Sequence, residues 1–120
     1  MPLTDLAKSG LCLLLSGSVT DRPAYCAIGK GSGTALASNT FLGSEFIRQT
    51  IDTTDASTPR FVDYTTTFAA ANISGLALRE FGIFSSGATT SGTMWNREGF
   101  AAVNFDGTNE LQISVELEIF

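Results

Sequence analysis

Toward the end of the chain every odd position is aliphatic and every even one polar: Leu111, Ile113, Val115, Leu117 and Ile119 alternate with Gln112, Ser114, Glu116 and Glu118. A period of two belongs to an extended strand and puts the aliphatics on one face and the carboxylates on the other. Such a strand is stable only beside other strands and over a second apolar layer, so the chain must build a layered β structure around it. The pattern runs to Phe120. That end is therefore expected to be tied into the sheet, and deleting the last five residues is expected to unfold the domain.

The rest of the sequence has the same texture from residue 24 onward. Ser, Thr and Gly supply about a third of the chain, and turn clusters punctuate short apolar runs. The expected strands are 24–28, 45–51, 60–70, 75–84, 93–104 and 110–120, with loops at 29–40, 52–59, 85–92 and 106–109. Within 75–84 the apolar parity changes, from Leu76 and Leu78 to Phe81 and Ile83. Either both faces are buried there or a bulge near Arg79-Glu80 switches the register. Residues 4–15 read as the one helix: Thr4 can cap it, Asp5 suits its first turn, and Leu3, Leu6, Ala7, Leu11 and Leu14 recur at helical spacing before Gly17. One leucine stripe is not stable alone and must dock on the sheet. The reading is a single domain over 1–120, mainly β, a β-sandwich or flattened barrel with one short N-terminal helix.

Composition narrows the function. A 12.7 kDa chain with 43% hydrophobic and 16% charged residues has enough apolar material for one core. The formal charge of −5 and only seven Lys and Arg oppose nucleic-acid binding, which needs cations on phosphates. The absence of His removes Ser-His-Asp and Cys-His nucleophile pairs and His-ligated zinc together. Cys12 and Cys26 have no metal or redox spacing and read as buried free thiols. The apolar run 11–15 is too short for a signal-peptide core, and nothing approaches the roughly 20 residues of a membrane span. A soluble product made in the cytoplasm, with no membrane partner, is expected.

Several segments imitate chemistry. Gly29-Lys30-Gly31-Ser32-Gly33 follows a strand, as phosphate-binding loops do, but Walker spacing is absent and Thr34 stands where the dinucleotide pattern needs Gly. It reads as a turn. Asp52 and Asp55 lie in a Thr-rich loop with too few ligands for calcium. Trp95, Tyr25 and Tyr64 could stack on a sugar, although nine Phe favour core packing. Asn72-Ile73-Ser74 matches the glycosylation sequon without a secretory context. No catalytic residue, metal ligand or cofactor site is expected. Glu80, set among large apolar neighbours, needs a cation if buried. Arg97 on the following strand is the expected partner, fixing the hairpin register, with Arg48 and Arg79 as rivals.

The order of segments carries a resemblance. Gly29-Lys30-Gly31-Ser32-Gly33-Thr34 is followed by Asn39-Thr40-x-Leu42-x-x-Glu45-x-x-Arg48, Arg79-Glu80-Phe81-Gly82-Ile83-Phe84, then Gly92-Thr93-Met94 and Arg97. This resembles small tailed-bacteriophage virion proteins and the N-terminal attachment part of tail-collar and tail-fibre proteins, over about residues 4–120. Asn39 replaces the usual Asp, Trp95-Asn96 interrupts the segment before Arg97, and both cysteines are unusual. The resemblance implies a non-enzymatic virion protein, a tail, baseplate or collar fibre-anchor subunit, with a capsid decoration protein as the alternative. In it the segments 29–34 and 39–48 are scaffold and contact elements, and Glu80 and Arg97 are architectural. Its partners would be other virion proteins and further copies of itself, a trimer above all. Gly29, Lys30, Gly31, Ser32, Gly33, Asp52, Asp55, Trp95 and Phe120 are the expected contact residues. A carbohydrate-binding module acting on a host glycan is a third reading.

Overall fold

The computed structural model describes residues 4–17, 22–32, 36, 38–88 and 92–118, apart from the side chain of Leu13. Helix α1 (Asp5–Leu15) precedes strands β1 (Tyr25–Gly29), β2 (Glu45–Thr50), β3 (Thr53–Asp55), β4 (Phe61–Phe68), β5 (Ala77–Phe84), β6 (Met94–Asn104) and β7 (Leu111–Glu118), with a 3-10 turn at Ala70–Asn72. The strands form two antiparallel sheets, ordered β2-β1-β5-β6 and β3-β4-β7. The architecture is a β-sandwich rather than a closed barrel.

Alternation decides what fills it. In β7 Ile113, Val115 and Leu117 are buried and Gln112, Ser114 and Glu116 are exposed. Those aliphatics join Tyr64 and Phe68 of β4 and meet Cys26, Ile28, Phe81, Ile83 and Trp95 from the other sheet. Each buried Ile, Val, Leu or Phe among them stabilises the fold by about 1.5–3 kcal/mol. Ile119 and Phe120 lie outside the described residues.

The helix docks by part of its expected stripe: Ala7, Leu11 and Leu14 face the core, whereas Leu6 is exposed, which corrects its place in the stripe. Thr4 Oγ1 accepts the Ala7 N–H at 3.1 Å and donates to the Met94 carbonyl, while the Thr4 N–H donates to the Trp95 carbonyl at 3.2 Å. The cap is thus also the anchor to β6. Ala7 is fully buried, and Leu11 and Leu14 pack against the core. Gly17, at φ +108°, ends the helix in the left-handed region. Leu3 lies outside the described residues.

Three expectations need correction. The stretch 52–59 holds β3, paired Thr53 to Thr65, Thr54 to Tyr64 and Asp55 to Asp63. All three of its residues are exposed, so no hydrophobic alternation betrays it; main-chain pairing makes the strand. The cysteines are both free, but only Cys26 is buried and Cys12 is exposed. Burial pushes the Cys26 thiol up to about 12 against a weaker opposing contact with Thr66. Trp95, expected at a contact surface, is 3% exposed and belongs to the core.

The two readings of 75–84 hold together. Between the pairs Leu78–Val103 and Glu80–Gly99, β6 advances by more residues than β5, and across that slip Leu78 lies in the core while Glu80 is buried outside that cluster. Beyond it, residues 80–84 are buried on both faces. A second slip sets Met94 opposite Phe84 and Asn96 opposite Ile83, with Trp95 the extra residue. The buried Asn96 Oδ1 accepts the Ile83 N–H at 3.1 Å there.

Candidate functional site

The side of the β2-β1-β5-β6 sheet away from the sandwich core is not open to water. One cross-strand row reads Arg48, Ala27, Gly82, Arg97, and the next Glu45, Gly29, Glu80, Gly99. Ala27 and the glycines leave space above the sheet. The β1–β2 connection folds into it, packing Leu42 against Ala27, Phe84 and Met94.

Glu80 is the hub of this layer and is fully buried. Its Oε1 accepts the Gly43 N–H at 2.8 Å and Arg97 Nε at 3.1 Å, with Arg97 Nη2 also at 3.1 Å. Its Oε2 accepts the Gly31 N–H at 2.7 Å and the Ser44 N–H at 2.8 Å. Arg97 Nη1 donates to Asn39 Oδ1 at 3.1 Å, and Asn39 Oδ1 also takes the Leu36 N–H at 2.8 Å. One carboxylate therefore ties β6 and both ends of the connecting segment to β5. Asn39 serves as an acceptor for Arg97.

Close approach explains two glycines. A Cβ on Gly31 would overlap Glu80 Oε2 and lie 2.6 Å from the Ser44 nitrogen. A Cβ on Gly29 would lie 2.8 Å from Glu80 Oε2 and nearer still to the Ser44 carbonyl oxygen. The Gly-Lys-Gly run brings main chain onto a carboxylate of this protein rather than onto a phosphate. Its N–H groups are used internally.

Beside the hub lies a second pair. The β1–β2 register slips between Ile28 and Gly29, so Phe46 is extra. That bulge brings Glu45 and Arg48, three apart and otherwise on opposite faces of a strand, to the same side. Arg48 Nη2 lies 2.7 Å from Glu45 Oε1 and Arg48 Nε 3.0 Å from Glu45 Oε2, a two-bond fork with both side chains only 2% exposed. Arg48 Nη1 also donates to the Ser86 carbonyl at 2.7 Å, and its guanidinium sits 3.8 Å over the Phe84 ring. Of the rival cations for Glu80, Arg48 is thus committed to Glu45, and Arg79 is exposed.

The chemistry of Glu80 follows from its contacts. Burial pushes its carboxyl up, but the Ser44, Gly43 and Gly31 N–H groups and Arg97 outweigh that and hold it below the ordinary value. With two donors on each oxygen it has no lone-pair direction left for a proton, metal or substrate. The arrangement fixes geometry.

The other expected contact residues scatter. Lys30 and Ser32 are exposed and Gly31 is half-buried, whereas Gly29 is buried, which corrects its expected contact role; Gly33 lies outside the described residues. Asp52 accepts the Thr67 N–H of β4 at 2.7 Å, a contact across the sheet, and Asp55 the Ser57 N–H at 2.9 Å, a local turn; both residues are exposed. Tyr64 and Trp95 are 7% and 3% exposed, so the three aromatics do not form a stacking platform. The exposed large apolar side chains include instead Leu36, Phe41 and Phe46.

Sequence reasoning missed one feature altogether. On the outer side of the β3-β4-β7 sheet, Asp55 is paired with Asp63 and Asp63 with Glu116, a row of three carboxylates. Glu116 is pushed up by partial desolvation first and then by Asp63 and Glu118. No local signal could reveal the row, because its members come from three separate segments. Comparison with protein-family models, curated proteins and solved structures finds no match for this chain.

Proposed function

We propose that this chain is a non-enzymatic structural subunit of a tailed-bacteriophage virion, a tail, baseplate or collar fibre-anchor protein that assembles with other virion proteins and further copies of itself. One observation carries the reading. The segments on which the resemblance rests, Gly29–Gly31, Asn39–Arg48, Glu80 with Gly82, and Arg97, converge on a single buried layer of ion pairs and main-chain N–H groups. Residues that meet this way stand in the sequence for one physical device, not for separate coincidences of spacing. The device stiffens a connection bearing the exposed Leu36 and Phe41, together with the exposed Phe46 at the start of β2, as a subunit that must present a fixed surface to neighbours requires. Its saturated carboxylate supports a scaffold in preference to a catalyst.

Immunogold labelling of intact virus particles with an antibody to this chain tests the reading. Gold on the tail or its tip is the expected result. Gold studding the head would replace the tail assignment with a capsid decoration protein. Particles without gold, intact and disrupted, would sink the virion role.

A further inference from the structure

Sheet edges are hazards, because a row of unpaired N–H and C=O groups invites another strand. Three of the four edges here are blunted. Strand β2 carries the Phe46 bulge. Strand β3 is three residues long. Strand β6 slips register twice, and the α1 cap bonds to its Met94 and Trp95 carbonyls.

Strand β7 differs on every count. It is eight residues long and pairs with β4 in unbroken register from Phe61–Glu118 to Phe68–Leu111. It contains no Pro, Gly, Lys or Arg. Every second residue turns its N–H and C=O away from β4, and among the described residues no hydrogen bond reaches that outer edge. Its buried Ile113, Val115 and Leu117 end the apolar layer at this edge, where an added strand could extend it.

Charge selects the occupant. Glu116 stands in the row with Asp63 and Asp55, and none of the three pairs with a guanidinium or ammonium among the described residues; Glu118 meets Arg60 only at 3.8 Å. A second copy of β7 would bring its own Glu116 and Glu118 to an already repelling surface. A strand with Lys or Arg on that face would neutralise it. We infer that the outer edge of β7, unpaired among the described residues, is a strand-addition site for an extended segment of a partner protein that alternates aliphatic with basic residues, the aliphatics continuing the core layer and the cations facing Glu116. The inference rests on the reading of this chain as an assembly subunit and names the chemistry of its partner.

The test uses the full chain and a synthetic peptide of the length of β7 alternating lysine and valine, with a glutamate–valine peptide and a scrambled lysine–valine peptide as controls. Amide hydrogen exchange is followed alongside a binding titration. The expected result is slowed exchange confined to 111–118 with the alternating basic peptide alone, an affinity that falls with added salt, and about tenfold weaker binding to Glu116→Lys. Equal binding of the glutamate peptide, or protection outside 111–118, would overturn the site. Protection of 111–118 that grows with protein concentration and needs no peptide would make a second copy the occupant and overturn the partner. Failure here leaves gold labelling of particles untouched, and unlabelled particles would leave the peptide result untouched, so the two readings fail separately.

Discussion

The outer faces of the two sheets both gather carboxylates, and they treat them in opposite ways. On the four-stranded sheet Glu80 and Glu45 are buried, forked to Arg97 and Arg48, and roofed by the β1–β2 connection. On the three-stranded sheet Asp55, Asp63 and Glu116 stand in line with no cation paired to them among the described residues. The same functional group lies below its ordinary pKa at Glu80 and above it at Glu116. The difference lies in what faces each carboxylate: donors aimed at Glu80, other acids beside Glu116. One face is finished within the molecule; the other keeps an electrostatic cost that something else can relieve.

The sharpest way to break the contrast is at Glu80. Glu80→Gln removes the charge, leaves Arg97 buried without its counterion, and turns one amide nitrogen toward N–H donors that need an acceptor. Loss of one partner of a buried pair is expected to lower the free energy of unfolding by about 3–5 kcal/mol, measured by urea denaturation. A variant as stable as the parent would make the pair a bystander. Gly31→Ala comes next, because its Cβ would overlap the carboxylate oxygen and crowd Ser44 main chain. Overpacking of this kind is expected to cost about 1–3 kcal/mol, and the same substitution at exposed Gly87, against the flexible Tyr25 ring, should cost less.

How much of this was legible beforehand depended on how local the cause was. The period-two strand β7, the helix with Thr4 as its cap and the parity change in β5 all follow from neighbours in sequence. The Glu80–Arg97 contact followed from asking what a carboxylate among apolar residues needs. Trp95 misled because the bulge that buries it is a property of two strands in register, not of its own segment. Strand β3 has no apolar residue to announce it. The Gly29–Gly31 run looked like a ligand loop for a sound reason, since its N–H groups do meet an anion; the anion is Glu80, 49 residues beyond Gly31.

Acid titration sharpens the comparison, since the two faces respond with opposite sign. Glu80 is held below its ordinary 4.5, so its stabilisation is complete above that value and is lost as pH falls through the lower folded pKa. Glu116 is held above 4.5, so its cost is present at neutral pH and is relieved as pH falls through its raised folded pKa. On lowering the pH from 7, Tm is expected to rise slightly before it falls. Glu80→Gln should flatten the fall and Glu116→Gln the rise; the reverse assignment would show that the two carboxylates have been confused.

The smallest effect expected is at Asp63, the middle of the acidic row. Like charges directly opposite one another weaken an antiparallel pair, and Asp63 faces Asp55 on one side and Glu116 on the other. Asp63→Asn removes both repulsions at once and offers Glu116 an amide N–H in place of a second carboxylate. Tm is therefore expected to rise by a small amount at neutral pH, more at low salt than at high salt because exposed charges are screened. Near pH 4, where Glu116 takes up its proton more readily than an ordinary glutamate, the gain should shrink. If Asp63→Asn instead lowers Tm at every pH, Asp63 is holding a contact of its own and the two faces are more alike than their charges imply.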